Sequence, residues 1–201
     1  MKNNLPQGAH CLPAGRYHKS LGRLLFLLAI CYIPYLFSGC GYTTRSMISN
    51  KYQSIYIEPF INKVDITNDA DAANKYQIYR PMLETEITRN LTNRFLFDGN
   101  LKPGQKDLAD LTLKGELTQF RRDPLRYTEN TDDVEEYRIN LVVNLKLWDN
   151  KENKLVWEEN GFTGSTSYFT VGSSAKSEST AVKEALDDLS RRIVERTVEE
   201  W

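Results

Sequence analysis

The sequence predicts an α/β (α+β) two-layer sandwich, a four-stranded mixed sheet with two helices on one face. Three observations lead there: four segments in which apolar and polar residues alternate, two in which apolar residues recur every three or four positions, and their order, β-α-β-β-β-α. Each such strand has one dry face and each helix one dry stripe, so laying both helices on the same side of the sheet buries both. The first strand reaches the second through a helix, which predicts a parallel pair with a right-handed crossover. The last three strands follow as an antiparallel meander.

Ser54 to Ile61 (SIYIEPFI) sets Ile55 and Ile57 against Tyr56 and Glu58 and closes near Pro59, as a half-buried strand does. Asn62 to Lys75 is polar and reads as a loop. Tyr79, Leu83, Ile87, Leu91 and Phe95 then recur every fourth residue, one stripe of a helix with Pro81 in its first turn and Gly99-Asn100 after its last. The second strand holds Leu111, Leu113 and Leu117, and its Gly115 predicts a bulge or a close approach of another group. Tyr137, Ile139, Leu141, Val143, Leu145 and Leu147 give the third strand one apolar face, while Arg138, Asn140, Asn144 and Lys146 make the other polar. Asp149 to Lys154 is a turn by composition. Leu155 to Phe162 returns as the fourth strand, with a slip of apolar phase between Trp157 and Phe162 that indicates a bulge. From Ser179 to Trp201 the residues Ala181, Ala185, Leu189 and Ile193 form the stripe of a second helix, on which Asp187 and Asp188 stand four positions before Arg191 and Arg192.

Ahead of these elements lies a segment of different composition. Met1 to Ile57 contains no Asp or Glu, and Lys2, Arg16, Lys19 and Arg23 precede an apolar run from Leu24 to Phe37. That run has fourteen residues, whereas a helix crossing about 30 Å of hydrocarbon needs roughly 20. A basic stretch, a short apolar core and the small residues Ser38-Gly39 have the layout of a secretory signal. Phe37-Ser38-Gly39-Cys40 resembles the lipobox of bacterial lipoproteins, with Phe37 where an aliphatic residue is usual. The resemblance implies diacylation of the Cys40 thiol, cleavage before it, and acylation of the new amine. Gly41 in place of Asp resembles lipoproteins sent on to an outer membrane. The sequence therefore divides into a signal peptide (1–39), a lipidated linker (40–53) and a single domain (54–201).

Processing at Cys40 would remove both histidines, His10 and His18, together with Cys11 and Cys31. The mature chain then lacks the imidazole of a Ser-His-Asp or Cys-His system and the usual ligands of a zinc site, and it can form no internal disulfide. It also has neither a GxxxxGK[ST] nor a GxGxxG phosphate loop. With 26 basic and 27 acidic residues in the whole chain, and 22 against 27 from Cys40 onward, nothing points to nucleic acid as a partner. What is left is catalysis by carboxylates such as Glu58, Glu116 and Glu158, catalysis by a Ser-Lys pair, or none. No metal and no cofactor is expected.

Several segments, taken in order, resemble the lipopolysaccharide-assembly lipoprotein family, LptE: Cys40-Gly41-Tyr42, Ile57-Glu58-Pro59-Phe60-Ile61-Asn62, Gly115-Glu116-Leu117 followed by Arg121-Arg122 and Pro124, Glu136-Tyr137-Arg138, Val156-Trp157-Glu158-Glu159-Asn160, and the helix ending at Trp201. The resemblance implies a non-enzymatic lipoprotein of the outer membrane, facing the periplasm and held there by its acyl chains. Such a protein plugs an LptD-like β-barrel translocon, helps it assemble, and assists lipopolysaccharide insertion into the outer leaflet. Guanidinium groups match phosphate through paired hydrogen bonds, so Arg121, Arg122 and Arg126 are the candidate ligand residues. The same segment read plainly is a basic turn facing a solvated acidic loop, Glu129 to Glu136. A lipid-anchored structural component of another envelope machine would share these features; a carboxylate-dependent periplasmic hydrolase shares fewer.

Overall fold

The structure, a computed structural model, describes residues 51–65, 76, 78, 80–129 and 133–199. In chain order the elements are β1 (Ser54–Ile57), β2 (Ile61–Asn62), α1 (Leu83–Asp98), β3 (Lys102–Pro103), β4 (Leu111–Tyr127), β5 (Val134–Asp149), β6 (Lys154–Phe169) and α2 (Glu178–Glu199). The sheet order is β3-β1-β4-β5-β6, with β2 also lying against β4. β1 and β2 run parallel to β4, and β4, β5 and β6 form the antiparallel meander. The sheet thus has six strands and not the four expected, for two local reasons. Pro59 cannot donate to the ladder, so the first strand breaks: Glu58 N donates to Leu113 O and Lys63 N to Leu117 O, while Phe60 N turns away to Thr88 Oγ1 on α1. The second addition is the two-residue strand β3, parallel to the start of β1.

Turning Phe60 inward sets its ring over Gly115. A Cβ at that glycine would lie 2.6 Å from Cδ1 of the ring, with Cε1 and Cζ nearer still. This is the close approach that Gly115 predicted. Along β5, Ile139, Leu141, Val143, Leu145 and Leu147 are all buried on the helix side. The α1 residues Leu83, Ile87, Leu91 and Phe95 and the α2 residues Ala181, Ala185, Leu189 and Ile193 meet them there. Each large apolar side chain so buried contributes about 1.5–3 kcal/mol. The bulge in β6 falls where the phase slips. Val143 pairs with Phe162 and Leu145 with Glu159, an extra residue absorbed around Gly161 at φ 74°. Beyond it Gly164 lets α2 approach, since a Cβ there would lie 2.6 Å from Cα and 2.7 Å from N of Leu189.

Other expectations need correction. α1 begins at Leu83, after Met82 in the left-handed region (φ 61°), so Pro81 lies in the preceding turn; Gly99 does close it, donating to Phe95 O. Neither Asp-Arg pair of α2 forms at the expected spacing. Arg191 pairs with Asp188 and Glu195, Arg192 donates to Thr163 O, and Asp187 accepts from Asn90 on α1. Asp188 accepts from Ser165 N, so α2 side chains cap exposed backbone groups of the edge strand β6. Arg121 to Tyr127 is not a turn, and Val134 to Glu136 is not a loop: both belong to strands. Tyr79, Trp201, Cys40 and most of the loop before α1 lie outside the described residues.

Candidate functional site

The sheet has two ends. Its base gathers the starts of β1 and β4, the β5–β6 turn and the last turns of both helices, while β4 ends and β5 starts at the far end. At the base, Asp149 is fully buried and accepts from Tyr52 Oη (2.6 Å) and from the N–H groups of Lys151 and Glu152. Burial alone would raise its carboxyl, but these donors outweigh burial and hold it below the ordinary carboxylate range. Burial, with the Asp149 hydrogen bond added, raises Tyr52. The cluster locks the β5–β6 turn to the incoming chain.

The predicted arginines lie in the far half of β4. A register shift between Leu117 and Gln119 exchanges the strand's faces, after which Phe120 and Arg122 point to the helices and Arg121 and Asp123 to the open side. The three guanidiniums therefore do not converge. Arg122 pairs with Glu178 at the start of α2 and lies 4.9 Å from the Tyr137 ring centroid. Burial would lower its pKa, but the Glu178 hydrogen bond and charge outweigh that and raise it. Beside it a hollow of about 350 Å³ is lined by Tyr76, Ile78, Pro124, Tyr127, Val134 and Tyr137. On the open face Arg121 pairs with Asp123 (2.7 Å), and Arg126 lies 3.8 Å from Glu136 and 5.7 Å from the Phe169 ring centroid. Arg138 is exposed directly opposite Asp123 on β5, so register adds it to Arg121. The sequence placed Arg138 only on the polar face of its strand and not beside Arg121, because its neighbour on β4 depends on a bulge that alternation alone does not locate.

The lower half of the open face is a ladder of opposite charges. Lys114 lies 3.6 Å from Glu58, Lys63 2.8 Å from Glu116, and Lys146 3.1 Å from Glu158, around a trough of about 530 Å³. Each carboxylate considered for catalysis is thus paired with its own lysine, an arrangement that balances the charges of the face. Among the described residues no cluster of three or more His, Cys, Asp or Glu side chains could hold a metal ion. No helix among them is long and apolar enough to cross a membrane.

Several solved structures are similar to this chain. A protein from Xanthomonas campestris is 13% identical, with a TM-score of 0.49 over 73% of this chain and 84% of that one. Uncharacterized lipoprotein B from Nitrosomonas europaea is 14% identical, with a TM-score of 0.49 over 81% and 90%. Rare lipoprotein B from Shewanella oneidensis is 16% identical, with a TM-score of 0.40 over 71% and 92%. No curated protein sequence matches. The family model of lipopolysaccharide-assembly, LptE, matches residues 52–197, nearly the whole described body. The chain belongs to the LptE lipopolysaccharide-assembly family.

Proposed function

We propose that the chain is a lipoprotein cut before Cys40, anchored by acyl chains in the outer membrane and facing the periplasm. There it plugs an LptD-like β-barrel translocon, helps it assemble, and assists lipopolysaccharide insertion into the outer leaflet. Residues 1–39 are the signal peptide, 40–53 the lipidated linker and 54–201 the single domain. The observation that carries this reading is family membership over residues 52–197. The open face supports it, because a charge-matched β surface suits a polar barrel interior. Arg121, Arg126 and Arg138 share the open face of the far half and are the groups proposed to meet lipid phosphate. Arg122, on the opposite face and paired with Glu178, braces the start of α2. No catalytic step is assigned.

Depletion tests the role. Loss of the protein is expected to leave the barrel misassembled and lipopolysaccharide missing from the surface; normal barrel and normal display would overturn the proposal. Replacing Arg121, Arg126 and Arg138 together by alanine should leave barrel assembly intact and reduce cross-linking of lipopolysaccharide to photoreactive groups placed at Asn140. Unchanged cross-linking would remove these residues from the ligand site.

A further inference from the structure

The base of the domain carries apolar side chains that the core does not use. The stripe of α1 is fully satisfied by Leu83, Ile87, Leu91 and Phe95, yet the helix ends with Leu96 at 61% and Phe97 at 85% exposure. The loop from β3 to β4 adds Leu108 at 78%. Single exposed apolar residues are ordinary on a protein surface, but large ones gathered at one end mark a contact. Topology brings these together. Gly99 turns α1 into β3, where Lys102 N donates to Gln53 O, and the following loop returns to Asp110, whose carboxylate accepts from Gln53 N. Both apolar points therefore border the place where the described chain begins. Lys102 and Lys106 are exposed between them, beside the likewise exposed Asp98 and Asp107.

We propose that this end is a membrane-contact surface, with Phe97, Leu96 and Leu108 entering the headgroup boundary of the lipid leaflet that holds the acyl chains. The inference rests on the proposed lipidation of Cys40 and extends it. The length of chain outside the described residues decides the occupant. Ten residues, 41–50, separate Cys40 from Lys51, and a chain of ten spans at most about 35 Å when fully extended. The anchor thus confines the base to the neighbourhood of the bilayer and presents these side chains to it at high effective concentration. A shallow insertion of about 5–10 Å is what exposed apolar groups on a peripheral protein achieve. The lysines suit it, since their stems lie along the acyl boundary while their ammonium groups stay among phosphates. The result is an upright body whose far end points away from the leaflet.

The test uses the full processed protein in vesicles of phosphatidylethanolamine and phosphatidylglycerol. Acylation blocks Cys40, so Phe97→Cys, Leu108→Cys and, as the far-end control, Leu125→Cys each carry one reactive thiol for an environment-sensitive fluorophore. Labels at 97 and 108 are expected to shift to the blue and to be quenched by lipids brominated near the headgroup, several-fold more than the label at 125. Protein that floats with vesicles while all three labels stay equally wet overturns the contact surface and leaves the anchor standing. Protein that carries no acyl mass and does not float overturns both. Labels that dry only when a barrel partner is added assign the patch to protein contact and overturn the proposal.

Discussion

Gly164→Ala should be among the most damaging single-methyl changes in the domain. The added Cβ would lie 2.6 Å from Cα and 2.7 Å from N of Leu189, with Leu189 Cβ also in its way. Carbon atoms pack at about 3.5–4.0 Å, so β6 and α2 must part by about 1 Å. No rotamer change relieves this, because the obstacle is helix backbone. Moving α2 disturbs Ala185, Leu189 and Ile193, all fully buried. Overpacking of this kind costs about 1–3 kcal/mol, and a backbone obstacle puts the cost near the top of that range. Ala for Gly in a strand would otherwise gain about 0.5–1 kcal/mol from the unfolded chain, leaving a net loss of about 2 kcal/mol. Urea unfolding followed by circular dichroism reads it as a lower midpoint at unchanged slope. Gly161→Ala is the control: it has φ 74° and nothing within 4 Å of the new methyl, so it carries only left-handed strain of about 1–2 kcal/mol. Trimming Leu189 to Ala should not rescue Gly164→Ala. A midpoint at or above wild type, or a full rescue by Leu189→Ala, would refute the backbone clash.

Gly115→Ala makes the opposite case: its obstacle is the Phe60 ring, so adding Phe60→Ala should recover part of the loss, seen as coupling between the two in a double-mutant cycle. Asp149→Asn should lower stability by about 2 kcal/mol at neutral pH, as a charged hydrogen-bond acceptor is lost. The Asp149 carboxyl is depressed in the fold, so its contribution is present above the ordinary carboxylate pKa and disappears as pH falls through the lowered folded value. The gap between variant and wild type should therefore narrow below about pH 4; a constant gap would contradict the assignment. Arg122 and Glu178 are 38% and 41% exposed, so a double-mutant cycle on the pair should give a coupling under about 1 kcal/mol that weakens in high salt. Cys40→Ser should abolish acyl mass and flotation, read by mass spectrometry of the mature N-terminus and by vesicle flotation; retained flotation with an uncut leader would overturn lipidation.

Where a strand keeps its parity, its residues disclose it. β5 alternates from Tyr137 to Leu147 without interruption, and its buried residues are the ones alternation selects. Where a bulge resets parity, the signal divides. β4 alternates up to Leu117, then shifts register, and its far half carries Arg121, Arg122, Asp123 and Arg126 on both faces. To a window scan this looks like a charged turn; only pairing with Arg138 and Tyr137 shows it to be strand. The bulge in β6 was legible because Trp157 and Phe162 are large enough to reveal the slip, yet from Thr163 to Ser167 the strand past it holds only Thr, Gly and Ser and carries no apolar pattern until Tyr168. Gly164 escaped notice for the same reason. β3 has two residues, one of them Pro103, too short for any period. The candidate site follows the fold: Arg121 and Arg122, adjacent in sequence, are divided between faces, and the proposed partner of Arg121 is Arg138, distant in sequence.

The two proposals constrain each other through length. Leu111 lies at the base and Arg121 ten residues up β4, which at about 3.3 Å per residue is roughly 33 Å along the strand. Arg126 is five residues farther, roughly 50 Å from the base. A bilayer is about 30 Å through its hydrocarbon and 40–45 Å with headgroups. A body standing with Phe97 and Leu108 at the inner headgroups and rising inside a barrel would carry Arg121 and Arg138 to the outer hydrocarbon boundary and Arg126 to the outer phosphates. Under the proposed function lipid phosphate would end its passage at those depths, so the orientation that brings the apolar base to lipid would also bring the guanidiniums to their proposed ligand. Lengthening the linker between Cys40 and Lys51 would leave the fold and anchor intact while freeing the base to drift from the leaflet. Cross-links from Asn140 to lipopolysaccharide should then fall if upright standing matters, and persist unchanged if barrel walls alone hold the body in place.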